Sequence, residues 1–420
     1  MRSKLAPSLY SACLALLLGC NVESLSPAER GVGDTENFDG VCPTGITVLL
    51  SDFFSTLVTL GRLDGTTKSA SFLSTGSSAT DGLSFALSGD VVLPSSRPES
   101  RRVVLVDRFG TNVVTWADPR TARVLSQLAV GTGFESNPSD YLELESGEAF
   151  ITRWGENGDP GRQDYDRGGD VLLLDSQRFE ITGSIELPRH DDLPPRPSSL
   201  ARLGERLLVS LDRISLDFSR TGDSELVGIS LADHALEFVL SFSGLKGCGR
   251  PALSPNGGLL AVACSGALTR TGTVPEPSES ALVLLDASVS PPAELRRLPA
   301  TALAGGALQN GVVFASDSLV LLKTQTELGG TDSNRWLSLN LIDDEVQILL
   351  EAGDDGSGKG QGIVYGGMSC APGCSDVCLL ADADRGVLQR VRVTDARAEL
   401  LPPIRVEDQI GLPPRDLTLR

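Results

Sequence analysis

From about Gly45 to Arg420, short runs of alternating apolar and polar residues are cut every few positions by Gly, Pro, Asn and Asp, with no long helical period. One unit recurs: an alternating strand ends at an Asp, turn residues follow, and a second strand ends near Gly or Pro. The turn residues are Asp64, Asp118, Asp175, Asp233, Asp286, Asp343 and Asp395, at intervals of 52 to 58 residues. Each carboxylate can accept backbone N–H groups of its own turn, so a structural role accounts for all seven.

Upstream of several hairpins lies a second pair of strands. Pro138-Ser139-Asp140-Tyr141-Leu142 leads into Glu148-Ala149-Phe150-Ile151, Pro197-Ser198-Ser199-Leu200 into Leu207-Leu208-Val209, and Pro251-Ala252-Leu253 into Leu259-Leu260-Ala261-Val262. Four strands per unit and seven units predict an all-β chain, a seven-bladed β-propeller. The last residues, Pro414-Arg415-Asp416-Leu417-Thr418-Leu419, repeat the first-strand pattern that the opening unit lacks. The first blade is therefore expected to be closed by the C-terminal strand, which leaves no sheet edge bare. The stretch Val103–Gly131 resembles the YVTN-type bacterial propeller repeat; that likeness implies a fold and carries no catalytic residue with it.

The N-terminus has a different texture. Arg2 and Lys4 precede the apolar run LAPSLYSACLALLL and then Gly19-Cys20. This predicts a signal peptide over residues 1–19, its run too short to span a bilayer. Leu17-Leu18-Gly19-Cys20 resembles the lipobox of bacterial lipoproteins. That resemblance implies cleavage before Cys20, a thioether-linked diacylglycerol on its sulfur and an acylated new N-terminus. Such an anchor holds without a spanning helix. Residue 21 is Asn, not the Asp that in this family often retains the product in the inner membrane, so the outer membrane is expected. Residues 20–44 are polar and aperiodic and read as a tether, with residues 45–420 as the propeller.

The net charge of −19 is scattered along the chain and argues against nucleic acid as a partner. A monomer is expected, with the membrane, through the lipid, and an envelope protein or glycan as partners.

Six cysteines remain outside the signal and the lipid site, and an even count in an exported chain points to disulfides. Cys248 and Cys264 stand symmetrically about the Pro255-Asn256-Gly257-Gly258 turn and are expected to pair. Among the rest, Cys370–Cys378 with Cys42–Cys374 is the favoured arrangement. A zinc site at Cys370, Cys374 and Cys378 lacks a nearby His.

Candidate chemistry is sparse. Gly-x-Ser-x-Gly, HExxH and P-loop motifs are absent from the sequence. The loops joining second to third strands are long at Gly155–Gly169, Arg213–Ser224, Ser265–Ser280 and Lys323–Asn334, all on one expected face. His190, Asp191 and Asp192 lie in a connection between blades on that same face, and His234 lies in a repeat turn. Asp159, Asp164, Asp166 and Asp170 could collect Ca²⁺, although their spacing misses the EF-hand pattern. No other cofactor is implied. The sequence favours a binding or scaffold lipoprotein. The alternative is a metal-dependent, lactonase-like hydrolase or lyase at the central channel.

Overall fold

The computed structural model describes residues 42–77, 81–190, 193–267, 276–325, 334–351, 366–394, 397–406 and 411–420. The signal peptide, Cys20, most of the tether, Asp191, Asp192 and Asp395 lie outside them. Among the described residues, seven four-stranded antiparallel sheets form a ring, with one five-residue α-helix, Ala300–Ala304. The fold is a seven-bladed β-propeller.

The recurring hairpin is the third and fourth strand of each blade, as in Val113–Asp118 with Arg123–Ala129. The turn carboxylates do what their position suggests. Asp64 accepts the Thr66 N–H at 2.8 Å, Asp118 that of Arg120, and Asp175 those of Gln177 and Arg178. Asp286 and Asp343 accept from Ser288 and Glu345.

Second and third strands are apolar at nearly every position because both of their faces are buried. Gly45–Ser51 (GITVLLS) is buried throughout. Its alternation still matters: Leu49 packs with Val58, Leu93 and Leu105 toward blade 2, while Ile46, Val48 and Leu50 pack with Leu379 and Leu388 of blade 7. The described core consists of seven such clusters, one between each pair of neighbouring blades.

Closure of the ring is direct. Pro414–Leu419 is the innermost strand of blade 1 and pairs with Gly45–Ser51, setting Leu419 opposite Ile46 and Leu417 opposite Val48. The Arg420 carbonyl accepts the N–H groups of Thr44 and Gly45 at 2.7 and 3.1 Å. Among the described residues three disulfides are present, the pairs favoured from sequence: Cys42–Cys374, Cys248–Cys264 and Cys370–Cys378. Cys42–Cys374 joins residues 332 apart in sequence and ties the entry to blade 1 onto blade 7.

Strand direction alternates within each blade. Loops joining second to third strands, and connections between blades, therefore emerge on one face, called here the loop face. Turns joining first to second and third to fourth strands emerge on the opposite, turn face. Cys374 lies between the first (Met368–Ser369) and second (Val377–Asp382) strands of blade 7, so the disulfide fixes the chain's entry on the turn face.

Candidate functional site

The innermost strands line a central channel, and four charged side chains, Asp140, Arg250, Lys323 and Asp416, are gathered around it. Asp140, on Pro138–Glu143 of blade 3, accepts N–H groups from three places: Ser95 of blade 2 at 2.9 Å, Leu200 of blade 4 at 2.8 Å, and its neighbour Tyr141 at 2.9 Å. Asp416 holds the equivalent Pro-x-Asp position in blade 1. It accepts the N–H of Leu93 in blade 2 at 3.1 Å and of Leu417 at 2.9 Å. These carboxylates staple neighbouring blades together. Opposite them, Arg250 donates to the Ser95 carbonyl and to Ser96 Oγ, and Lys323 Nζ donates to the Gly366 carbonyl at 2.6 Å.

A cavity of about 510 Å³ occupies the channel and is lined by Arg97, Arg250, Lys323, Met368 and Asp416 among others. Its lining includes Pro43, Ala371 and Pro372, so it reaches the turn face. Burial pushes the Asp416 carboxyl up to about 6 and the Lys323 ammonium down to about 8, against which their mutual attraction works only in part. Asp140 is raised and Arg250 lowered, again chiefly by burial.

These shifts give a sign for stability against pH. Asp416 binds its proton more tightly folded than unfolded, so its contribution falls as pH rises from about 4 to about 6. Asp212, also raised to about 6, acts in the same window. Lys323 loses its proton more readily when folded, so its contribution rises between about pH 8 and pH 10.5. Urea midpoints at constant ionic strength are expected to decline from pH 4.5 to 6.5. In Asp416→Asn that slope should be shallower but not flat; an unchanged slope would contradict the assignment.

The loop face is built differently. In blade 3, Arg153 pairs with Asp170 (2.6 Å and 2.8 Å) at the base of the loop and also donates to Val130 O, Thr132 Oγ1 and Tyr165 O. In blade 4, Arg213 repeats the device with Glu225 (Nε to Oε2, 3.0 Å) and the Pro188 carbonyl. Each arginine clamps a loop to the connection before its blade, and both ion pairs are buried.

The acidic residues singled out in sequence are thus given separate tasks. Asp170 neutralises Arg153; Asp166 accepts N–H groups from Gly161, Arg162 and Gln163 inside its own loop; Asp159 pairs with Arg162; Asp164 is exposed. Among the described residues no group of three or more His, Cys, Asp or Glu is placed to hold a metal ion. His190 Nδ1 lies 2.6 Å from Glu225 Oε1 on the loop face, and His190 is not part of the cavity lining. His234 sits in its turn near Glu148.

What the loops do present is aromatic. Phe53 and Phe54 in blade 1, Phe109 in blade 2, Tyr165 in blade 3 and Phe218 in blade 4 are all exposed, and all lie between second and third strands. Phe54 is 86% exposed and Phe109 69%, which a core-forming role would not allow. Phe53 lies against the Arg415 guanidinium (4.1 Å), and Phe218 stacks on Trp154, which itself lies under Arg196 (3.9 Å). Asp212 receives the Trp154 indole N–H at 3.0 Å and fixes that stack. Phe53, Tyr165 and Phe218 have φ of 70°, 58° and 59°, a left-handed backbone that costs a bulky residue about 1 kcal/mol each.

Neither feature was found by sequence reasoning. The repeated Pro-x-Asp of Pro138–Asp140 and Pro414–Asp416 was a trace of the staples, and each exposed ring follows directly, or after Phe53, on a charged residue: Asp52, Arg108, Asp164, Asp217.

No protein-family model and no curated protein matches the chain. Solved structures do resemble it. The periplasmic gluconolactonase of Pseudomonas aeruginosa is 12% identical, with a TM-score of 0.54 over 89% of this chain and 98% of that one. A Bacteroides fragilis protein described as a candidate 6-phosphogluconolactonase is 11% identical, with a TM-score of 0.55 over 92% of this chain and 100% of that one. A hypothetical selenium-binding protein of Sulfolobus tokodaii is 9% identical, with a TM-score of 0.56 over 90% and 94%. At such identities the likeness shows the propeller fold alone.

Proposed function

We propose that the chain is a bacterial lipoprotein, anchored by lipid on Cys20, whose propeller is a binding module that holds an envelope component on its loop face. One observation carries this reading: four consecutive blades present exposed aromatic rings on the same face, in blades 3 and 4 from loops pinned by buried ion pairs. Loops held this way lose little freedom on binding, which favours affinity. The lipobox-like Leu17-Leu18-Gly19-Cys20 supports the anchor, and Asn21 favours the outer membrane. The test has two arms. An alkyne fatty acid should label the wild-type chain in a bacterial host and leave Cys20→Ser unlabelled. A photo-crosslinking residue at position 109, on the loop face, should capture an envelope component that the same residue at position 342, on the turn face, does not. Absence of label removes the anchor, and equal capture at both positions removes the binding face.

A second reading keeps the lactonase-like, metal-dependent hydrolase or lyase at the channel. Two observations favour it: a cavity holding Asp416 and Lys323 with pKa values moved toward neutrality, and the lactonases among the similar structures. It expects stoichiometric divalent metal in the gently purified protein, and elemental analysis decides it.

A further inference from the structure

We infer that the aromatic crescent of blades 1 to 4 is a docking surface for an uncharged polysaccharide, an inference that rests on the loop-face reading above and names its ligand. The rings do not merge into one apolar patch. They come from four separate loops, and charged or polar residues flank them in sequence: Asp52 and Ser55 around Phe53-Phe54, Arg108 before Phe109, Asp164 before Tyr165, and Asp217 and Ser219 around Phe218. A protein partner is held by a contiguous, desolvated apolar centre. A sugar polymer offers the complementary pattern: C–H faces that stack on the negative face of an aromatic ring, alternating with hydroxyls that need hydrogen-bond partners.

The backing of the rings fits this use. Phe218 rests on Trp154 and Arg196, and Phe53 on Arg415, so each is a supported platform with its ring about half exposed. Phe53, Tyr165 and Phe218 share the same strained backbone region, which turns three rings outward in three separate loops.

Charge selects against the other occupants. A chain of net charge −19 is repelled by anionic headgroups and anionic polymers. Exposed Phe side chains could also enter a membrane, but a charged residue stands directly before the ring or ring pair of each loop, Asp52, Arg108, Asp164 and Asp217, and carrying those groups into hydrocarbon is costly.

Affinity electrophoresis of the signal-free chain through gels containing dextran, a β-1,3-glucan, a mannan or a galactan tests the inference. At least one of these neutral polymers should retard the wild type. The triple variant Phe54→Ala, Phe109→Ala, Phe218→Ala should need about tenfold or more polymer for the same retardation. Ile342→Ser, exposed on the turn face, should behave as wild type. Far-ultraviolet circular dichroism and urea midpoints establish that the triple variant is folded. Retardation by none of the four polymers, or equal retardation of the triple variant, overturns the inference. In either case, crosslinking from position 109 to an envelope protein leaves the broader binding reading standing, and loss of that crosslinking as well removes both.

Discussion

A chain ending at Pro413 is expected to lose cooperative folding. The deleted residues form the innermost strand of blade 1, five of them in register with Gly45–Ser51. Leu417 and Leu419 are buried in the cluster between blades 7 and 1, each worth about 2 kcal/mol of apolar burial. The ladder bonds add about 1 kcal/mol each, and the Leu93 N–H of blade 2 is left without its Asp416 acceptor. The sum is on the order of 10 kcal/mol, comparable to the whole stability of a typical domain. Loss of the strand also bares the edge of Gly45–Ser51, an apolar strand with no charged residue along it, so aggregation should accompany unfolding. Urea unfolding followed by tryptophan fluorescence reads the effect. A peptide of residues 411–420 added in trans should restore part of the transition. A truncated chain with an unchanged midpoint would mean that the ring does not depend on this strand.

This closure was legible in the sequence because it is a matter of pattern. The hairpin repeats seven times, its turn Asp residues recur at a near-constant interval, and the unit is cut at a place where only the last strand can complete the first. The Cys248–Cys264 pair was legible for a similar reason: two positions symmetric about a turn face each other across a hairpin. The channel staples were not legible. Asp140 reaches partners 45 and 60 residues away, and Asp416 one 323 residues away, so no local period connects donor to acceptor. The loop residues posed a different difficulty. Asp166 and Asp170 read alike in sequence, yet one caps its own loop and the other neutralises a buried arginine, because the choice is made by where the clamping Arg153 enters. The exposed rings were hidden by composition, since an aromatic residue in a sequence is ordinarily taken for core.

The staples carry the second large expectation, and Asp140→Ala isolates it. The substitution leaves the N–H groups of Ser95, Tyr141 and Leu200 without their acceptor in a site that is 1% exposed. It also removes the negative charge that offsets Arg250 across the channel. Stranding buried donors costs about 1–3 kcal/mol each when they stay dry, and uncovering a buried charge about 3–5 kcal/mol. Water admitted through the adjacent cavity recovers part of this, so a loss of about 4 kcal/mol is expected by urea unfolding. Asp140→Asn keeps one acceptor oxygen and should lose less. Asp64→Ala removes a carboxylate that also accepts a backbone N–H, but in an exposed turn where water replaces it, and should barely move the midpoint. The variants separate two ideas: if the number of hydrogen bonds alone mattered, Asp140→Ala would cost about three times what Asp64→Ala costs, three bonds against one. The structure requires a larger ratio, because the Asp140 bonds join three blades around the axis at a depth where lost partners are not easily replaced.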